Sequence, residues 1–594
     1  MKRLACLLCL LALGCADEAK PQNTLTVDPN GAHQETPMDA GEVDPPEPPD
    51  GSPHSPPTEA QMPSAPPVRL RITQPQRGSR TFGDTVRVEG VLEGGAAPHL
   101  SVAGHLVVPG PGGRFSTEVA VEPGIEVLVT TVVDDTGDLE DRRAVLVDGN
   151  ADPDEAIAHG AGAFVSRAGF AAVSALLTDY LSDLDLMSLV AGNVPEGITI
   201  RSIRYDRISV DLVPLRGLIE ARLRIHNMRV ELEGEVSFGI SFTVSGSASA
   251  DPAEVVAQIR VAVDRQGGLD LSVAGAEVTL HSFDYDINNV PDFVEGWFSD
   301  RVQSFAEGLL RDALTSFVVP ALFDPAALER TIDLLGTPLT LALRIQSVDV
   351  APDGLTLDMS ARAEADDVMR AGQGVPLLGG LPTFDKGTHL DLAVAADLIA
   401  RILHAAWAGG ALDVELGSGT GLDLPVPLSV ALLAGALGPA AQGLDRQANL
   451  IVRMRPLLPP EVRVVPGEKP LVIEFGDLLF DLESTTDGPL VTVAADLVAH
   501  VSLHVTSLDV IELGTELDVE VHADVAETPR GPVDDVRLET LLEGLAGAIP
   551  GLLAQQTFSF GTDVLPVPIR FRNPRFEADT RAEFVHIRTE IAGP

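Results

Sequence analysis

Between His389 and Leu416 the chain changes its hydrophobic period twice. Leu390, Leu392 and Val394 first alternate with Asp391 and Ala393. Leu398, Ile399, Ile402, Leu403, Ala406 and Trp407 then recur at helical spacing, and after Gly409–Gly410 alternation returns through Leu412, Val414 and Leu416. Switches between a period of 2 and one of 3.6 predict a strand–helix–strand unit. Further upstream, Asp152, Pro153, Asp154 and Glu155 form a helix start signal, because proline suits the first helical position and carboxylates suit the positive helix end. The spacing predicts a helix from there through Phe164, Phe170, Leu176, Leu177 and Leu181. Long alternating strands follow, among them "GITIRSIRYDRISVDLVPL" and "GLIEARLRIHNMRVELEGEV". In the second, Leu223 and Ile225 precede His226–Asn227, while Met228, Val230 and Leu232 follow on the other parity, which predicts a β-bulge.

The stretch from Pro291 to Pro320 reads as one long amphipathic helix. Its apolar stripe carries Trp297, Phe305, Leu309 and Phe317, and its polar side Glu295, Asp300, Glu307 and Arg311. At 1.5 Å per residue it would span roughly 43 Å. The second half repeats the plan. Strands are expected near 338–361, then the unit at 389–416, a small-residue helix "PLSVALLAGALGPAAQGL", and strands from about 449 to 525. A last amphipathic helix, 533–555, includes Leu545 and Ile549 and precedes closing strands.

Residues 68–149 behave differently. Short alternating runs such as "DTVRVEGVL" and "RFSTEVAVEPG" are cut by Gly, Pro and Asp turns, the pattern of a β-sandwich. On "VRVEGVL", "LSVAGH" and "GRFSTEVAVEPGIEVLVTTVVDDTG" this segment resembles a bacterial Ig-like module of the glucodextranase B type. Residues 15–67 are rich in Pro, Asp and Glu and poor in apolar side chains, the composition of a disordered tether. Residues 1–14 combine Lys2 and Arg3 with an apolar run too short to span a membrane, which predicts a secretory signal. "LALGC" resembles a bacterial lipobox, which implies cleavage after Gly14 and acylation of Cys15; an ordinary cleaved signal peptide is the alternative. Ala16 after that cysteine leans the expectation to an outer-membrane lipoprotein, facing the periplasm or the cell surface.

The order of features from residue 150 to 594 resembles the bactericidal permeability-increasing, lipopolysaccharide-binding and lipid-transfer proteins of the tubular lipid-binding superfamily. The resemblance rests on the early helix, the long strands, "VPDFVEGWFSDRVQSFAEGLLRDALTSFVVPAL", the unit at 389–416, and the late helix with its final strand pair. It implies an α+β body of two modules, 150–336 and 337–594, each a twisted antiparallel sheet wrapped around long amphipathic helices. It also implies that acyl chains lie between helix and sheet, against Phe164, Phe170, Leu177, Trp297, Phe305, Leu309, Phe317, Leu398, Ile402, Trp407, Leu545 and Ile549. The family's usual disulfide is missing, since no cysteine follows Cys15. Its cationic tip is not evident in a chain of net charge −46.

That charge also argues against a nucleic-acid partner, because a phosphate backbone needs Lys and Arg. No G-x-S-x-G, H-E-x-x-H or phosphate-cradling glycine loop occurs, so an enzyme is not expected and no cofactor is implied. With 87 acidic residues, chance carboxylate pairs are uninformative. His500 and His504 share a strand face that a hairpin would bring near Glu520 and His522, which fits either a solvated polar face or a weak zinc site. Arg222, Arg224 and Arg229 belong to a basic island over 201–229. They suit anionic headgroups, or a strand face balanced by acidic neighbours. The expectation is a membrane-anchored lipid-binding or lipid-transfer lipoprotein; the alternative is a structural or adhesive surface lipoprotein with a filled core.

Overall fold

The computed structural model describes residues 68–592 apart from 95–98, 135–136, 148–149, 153, 183–185, 188–197, 238–240, 289–328, 335–336, 371–373, 378, 417–428, 506–509, 532, 547–557 and 562–569. The expected helix at 291–319, with Trp297, Phe305, Leu309 and Phe317, lies outside these residues, as do Cys15 and Ile549. Among the described residues the chain is mostly β, in antiparallel sheets joined by few helices.

The first strands are β1 (Arg69–Gln74), β2 (Ser79–Thr81), β3 (Thr85–Glu93), β4 (His99–Val102), β5 (His105–Val107), β6 (Arg114–Ala120), β7 (Gly124–Asp134) and β8 (Gly137–Val147). They form two sheets, β1-β3-β6 and β2-β8-β7-β4-β5. Alternation buries Val86, Val88, Leu100, Val102, Phe115 and Val132 in a core of the sandwich's own. Gly90 is required there: a Cβ on it would come within 2.5 Å of the Phe115 ring.

After β9 (Asn150–Ala151) the chain does not enter a helix. It makes strand β10 (Ile157–Ser166), and helix α1 begins only at Arg167, running Arg167–Ser182. The expected helix start at Asp152 is therefore corrected, and Phe164 sits on a strand. The reason is burial on both faces: Gly160 to Phe164 are all buried, so the segment shows no alternation to mark it as β.

Eight strands follow: β11 (Ile198–Arg204), β12 (Arg207–Leu215), β13 (Leu218–His226), β14 (Met228–Ser237), β15 (Ser241–Ala250), β16 (Ala253–Val263), β17 (Leu269–Leu280) and β18 (Asp284–Asn288). They are four long runs, each broken near one level. One half of each lies in sheet β11-β14-β15-β18 and the other in sheet β12-β13-β16-β17. The expected bulge at His226–Asn227 is instead such a break. Asn227 adopts φ +50° and passes the chain from one sheet to the next. The apolar parity shifts by one because both sheets present their apolar faces to the same core, where Leu223, Ile225, Met228 and Val230 all lie. Backbone and carboxylate bonds stitch the breaks together. Asp206 N–H donates to His226 O at 3.0 Å, Asn227 N–H to the Asp251 carboxylate at 3.1 Å, and Asp251 N–H to His281 O at 2.8 Å.

The remaining elements are β19 (Glu329–Leu334), β20 (Thr337–Ala351), β21 (Gly354–Ala365), β22 (Val375–Pro376), β23 (Leu390–Ala395), α2 (Ala396–Ala408), β24 (Val414–Leu416), α3 (Val430–Leu437), β25 (Leu450–Pro456), β26 (Glu461–Val464), β27 (Leu471–Ser484), β28 (Gly488–Val505), β29 (Val510–Glu527), α4 (Asp535–Ala546), β30 (Phe558–Gly561), β31 (Arg570–Ala578) and β32 (Phe584–Ala592). The strand–helix–strand reading of 389–416 matches β23, α2 and β24. All six residues of β23 are buried, Asp391 included, because it is an inner strand covered on both faces. A central sheet runs β19-β20-β21-β10-β23-β32-β31. Its β10 precedes residue 337, whereas β20 and the strands beyond β10 follow it. A further sheet runs β24-β25-β27-β28-β29-β30, with β26 paired to β27. Helices α3 and α4 close over it: Arg537 donates to Gly435 O at 3.0 Å, and Leu538 and Leu542 bury beside Val521.

Candidate functional site

Helix α1 and sheet β12-β13-β16-β17 build the largest apolar core, and the two edges of that sheet are treated differently. Phe170, Leu176, Leu177 and Leu181 recur on one face of α1 and pack into the core with Ile208, Val210 and Leu212 of β12. At the boundary, hydroxyls spaced four residues apart replace a missing strand. Ser174 Oγ accepts the Leu212 N–H at 2.8 Å, and Thr178 Oγ1 accepts the Val210 N–H at 2.9 Å. The edge of β12 is thus closed by a helix, which removes its unpaired amides.

The opposite edge, β17, keeps its apolar row half-exposed. Leu271, Val273, Ala276, Val278 and Leu280 pack against the core but stay partly accessible. Their cross-strand partners on β16 are sealed: Val278 faces Val255, and Val273 faces Ile259, both 0% exposed. The core therefore continues outward into an aliphatic ledge. It carries no charge on its inner row, so it offers dispersion and hydrophobic contact rather than chemistry. Phe283 and Tyr285 extend it beyond the break. A concavity on the face of β20 and β21 away from the core has a polar character instead. Thr340, Arg344, Ser360, Arg362, Glu329 and Glu364 line it, with Arg362 paired to Glu364 at 2.6 Å.

Of the apolar positions singled out in the sequence, Phe170, Leu177 and Leu398 join this largest core. Phe164 points to the other face of β10 and stacks on Phe384 with ring centroids 6.0 Å apart. Trp407 lies in a neighbouring cluster that Ile402 packs against, and its Nε1–H donates to Pro456 O at 3.0 Å. Arg370 covers the indole at 5.5 Å. Leu545 belongs to α4, but its side chain lies outside the description. The ledge on β17 was visible in principle as the alternation of "LDLSV" and "AEVTL", which changes parity at Ala274–Gly275, where the register against β16 shifts. What the pattern lacks is any sign that β17 is an edge.

Two arginines of the basic island, Arg222 and Arg224, are bound to acidic neighbours. Arg224 donates to Glu254 at 2.8 Å and to Asp211 at 3.0 Å, and Arg222 reaches Glu220 at 3.0 Å and Glu254 at 3.5 Å. Burial works to raise the Glu254 carboxyl, but Arg224 above all, with His281 and Arg222, holds it below its ordinary range. Arg229 belongs to the other sheet, is exposed, and donates to Ser247 Oγ at 3.2 Å.

The expected meeting of His500 and His504 with Glu520 and His522 does not form. The register of β28 and β29 places His500 opposite Asp518, His504 opposite Gly514, Glu520 opposite Val498 and His522 opposite Asp496. His500 and His522 are thus four rows apart, roughly 13 Å along the strands. Among the described residues no three potential ligands gather as a metal site.

One buried polar cluster escaped the sequence reading. His586 Nδ1 lies 2.7 Å from Asp391, both 0% exposed, and Arg588 Nε donates to the same carboxylate at 3.2 Å. Asp385 N–H also donates to it, at 2.7 Å. Its carboxylate and imidazole are enclosed in the central sheet, where they tie β23 to β32.

No family model matches the chain, and no curated protein matches it. Solved structures similar to it include lipopolysaccharide binding protein, at 12% identity over 73% of this chain and 99% of that one, with a TM-score of 0.39. P47 of Clostridium botulinum E1 is similar at 8% identity over 73% of this chain and all of its own, with a TM-score of 0.23. Likenesses at these TM-scores carry no part of the functional reading.

Proposed function

We propose that this chain is a lipid-binding protein that takes acyl chains on the aliphatic ledge of β17. The observation that supports this reading most is the contrast across one strand pair: Val255 and Ile259 fully sealed, Val278 and Val273 half-open and continuous with them. An unbranched hydrocarbon gains about 0.8 kcal/mol per buried methylene on such a surface, and the ledge has no polar row to fix any other ligand. Acylated Cys15 and the tether of 15–67 hold the protein at a bacterial outer membrane, and the sandwich of 68–149 is a spacer. The test is organic extraction of the purified protein followed by mass spectrometry, together with titration by a fluorescent fatty acid. Co-purifying acyl lipid and saturable uptake are expected. A folded protein with neither would overturn the proposal. Cys15→Ser is expected to move the protein from the membrane to the soluble fraction.

A further inference from the structure

The sandwich is docked on the rest of the protein through a socket of carboxylates. Arg77, in the turn between β1 and β2, donates to Asp477 at 2.8 Å and to Asp524 as well. Asp477 sits where the pairing of β27 with β28 is interrupted, with φ +48°, and the irregularity aims its carboxylate across the interface. There it accepts the Gly78 N–H at 2.7 Å and the Ala144 N–H at 3.0 Å, both from the sandwich. Asp496 backs it, accepting the Asp477 N–H at 3.1 Å. Beside the socket the contact is apolar and close: Ala144 and Leu146 bury against Leu458, and a Cβ on Gly78 would come within 2.5 Å of Leu457.

The charges at this contact do not balance. The sandwich brings Arg77, Glu140, Asp141, Arg142 and Arg143, of which Arg142 is paired with Glu140 and Arg143 with Asp141. The body brings Asp477, Asp496 and Asp524, with His522 opposite Asp496 in register. At the margin Glu461 accepts the Ile125 N–H, with Glu126 and Arg463 nearby. Arg77 stands among three enclosed carboxylates, of which Asp477 is 1% and Asp496 7% exposed, and Arg142 adds its charge only toward Asp496, so the carboxylates stay in excess. Carboxylates crowded away from water lower their cost by taking up protons.

We infer that this interface is a proton-dependent latch, closed when the Asp496–Asp524 side of the socket is protonated and loosened when it ionises. Freed from the sandwich, these aspartates face water and titrate near the ordinary 3.8; docked, burial first, with Asp477 and Asp141 adding repulsion, raises Asp496 to about 6 and Asp524 to about 7. The sign follows. Below about pH 4 both states are protonated and the latch is at full strength. Between about pH 4 and 7 the undocked state ionises first, and docking weakens as pH rises through the docked values. The sandwich would then stand tight on the body in mild acid and swing on its connection above neutrality.

The test is Förster transfer in the full chain, with Cys6, Cys9 and Cys15 replaced by serine and dyes on Leu106→Cys in the sandwich and Val536→Cys on α4. Both positions are exposed, at 78% and 71%. A narrow transfer distribution at pH 5 should broaden at pH 8, with a docking constant at least about tenfold weaker. Asp496→Asn with Asp524→Asn, which mimics the protonated pair, should stay narrow at both pH values. Arg77→Gln should be broad already at pH 5. The same distribution at pH 5 and pH 8 in the parent chain would overturn the latch, as would undiminished broadening in the double asparagine variant.

Discussion

Ser174 Oγ accepts the Leu212 N–H at 2.8 Å while donating to Phe170 O at 2.7 Å, so one buried hydroxyl both ends a sheet and holds its helix. Ser174→Ala would leave the Leu212 amide buried without a partner, a cost of about 1–3 kcal/mol. Amide exchange at Leu212 and Val210 should quicken markedly, while amides within β16 change little. Exchange at Leu212 no faster than in the parent chain would show that the hydroxyl is not what closes the edge.

Asn227 carries the break between two sheets in a left-handed conformation. Glycine tolerates φ +50° without penalty, and asparagine tolerates it better than most residues. Asn227→Gly is expected to change thermal stability little, losing only the side-chain bond to Asp206. Asn227→Val should cost on the order of 1–3 kcal/mol, because a β-branched side chain is strained there. Thermal melts of the two variants decide it, and equal midpoints would contradict the role given to the backbone.

These two sites show which parts of the fold were legible in the sequence. Helix α1 from Phe170 to Leu181 and the whole of β23–α2–β24 followed from period alone, since each has one apolar face or a clear change of period. Strand β10 did not, because Ala161, Ala163 and Phe164 are covered on both faces and alternation disappears. The parity slip at Asn227 was seen, yet a bulge and a passage between sheets leave the same one-residue trace. Register was the weakest inference. His522 could be placed opposite Asp496 rather than near His500 only once both strands of the pair were fixed. The Arg77 socket joins residues about four hundred positions apart, beyond the reach of any local pattern.

Glu254 is the shared acceptor of Arg222 and Arg224, and its carboxyl is held below the usual glutamate range despite partial burial. A depressed carboxyl contributes stability that is present above its unfolded value of 4.5 and is lost as pH falls through its folded value. Arg224→Gln removes its strongest partner. The acid-unfolding midpoint should therefore move to higher pH, with little change in stability at pH 7 beyond what a surface ion pair gives, about 0–1 kcal/mol. An acid midpoint unchanged or shifted lower would mean that Arg224 does not hold this carboxyl.

The sealed and open members of one cross-strand pair give the sharpest test of the ledge. Val255 and Val278 face each other on β16 and β17, the first 0% exposed and the second half-buried. Val255→Asp places a charge where no water reaches and should destabilise the body by several kcal/mol or prevent folding. Val278→Asp leaves its carboxylate a route to solvent, so the fold should survive with a smaller loss. It would still set a charge in the middle of the aliphatic row, beside Ala276 and Leu280. Binding of a fluorescent fatty acid should then weaken at least about tenfold, the effect of roughly 1.4 kcal/mol. Asp270, whose side chain points to the other face of the same strand, supplies the control: Asp270→Asn should leave uptake as it was. A Val278→Asp protein that folds and binds the probe as tightly as the parent would place the acyl chain elsewhere.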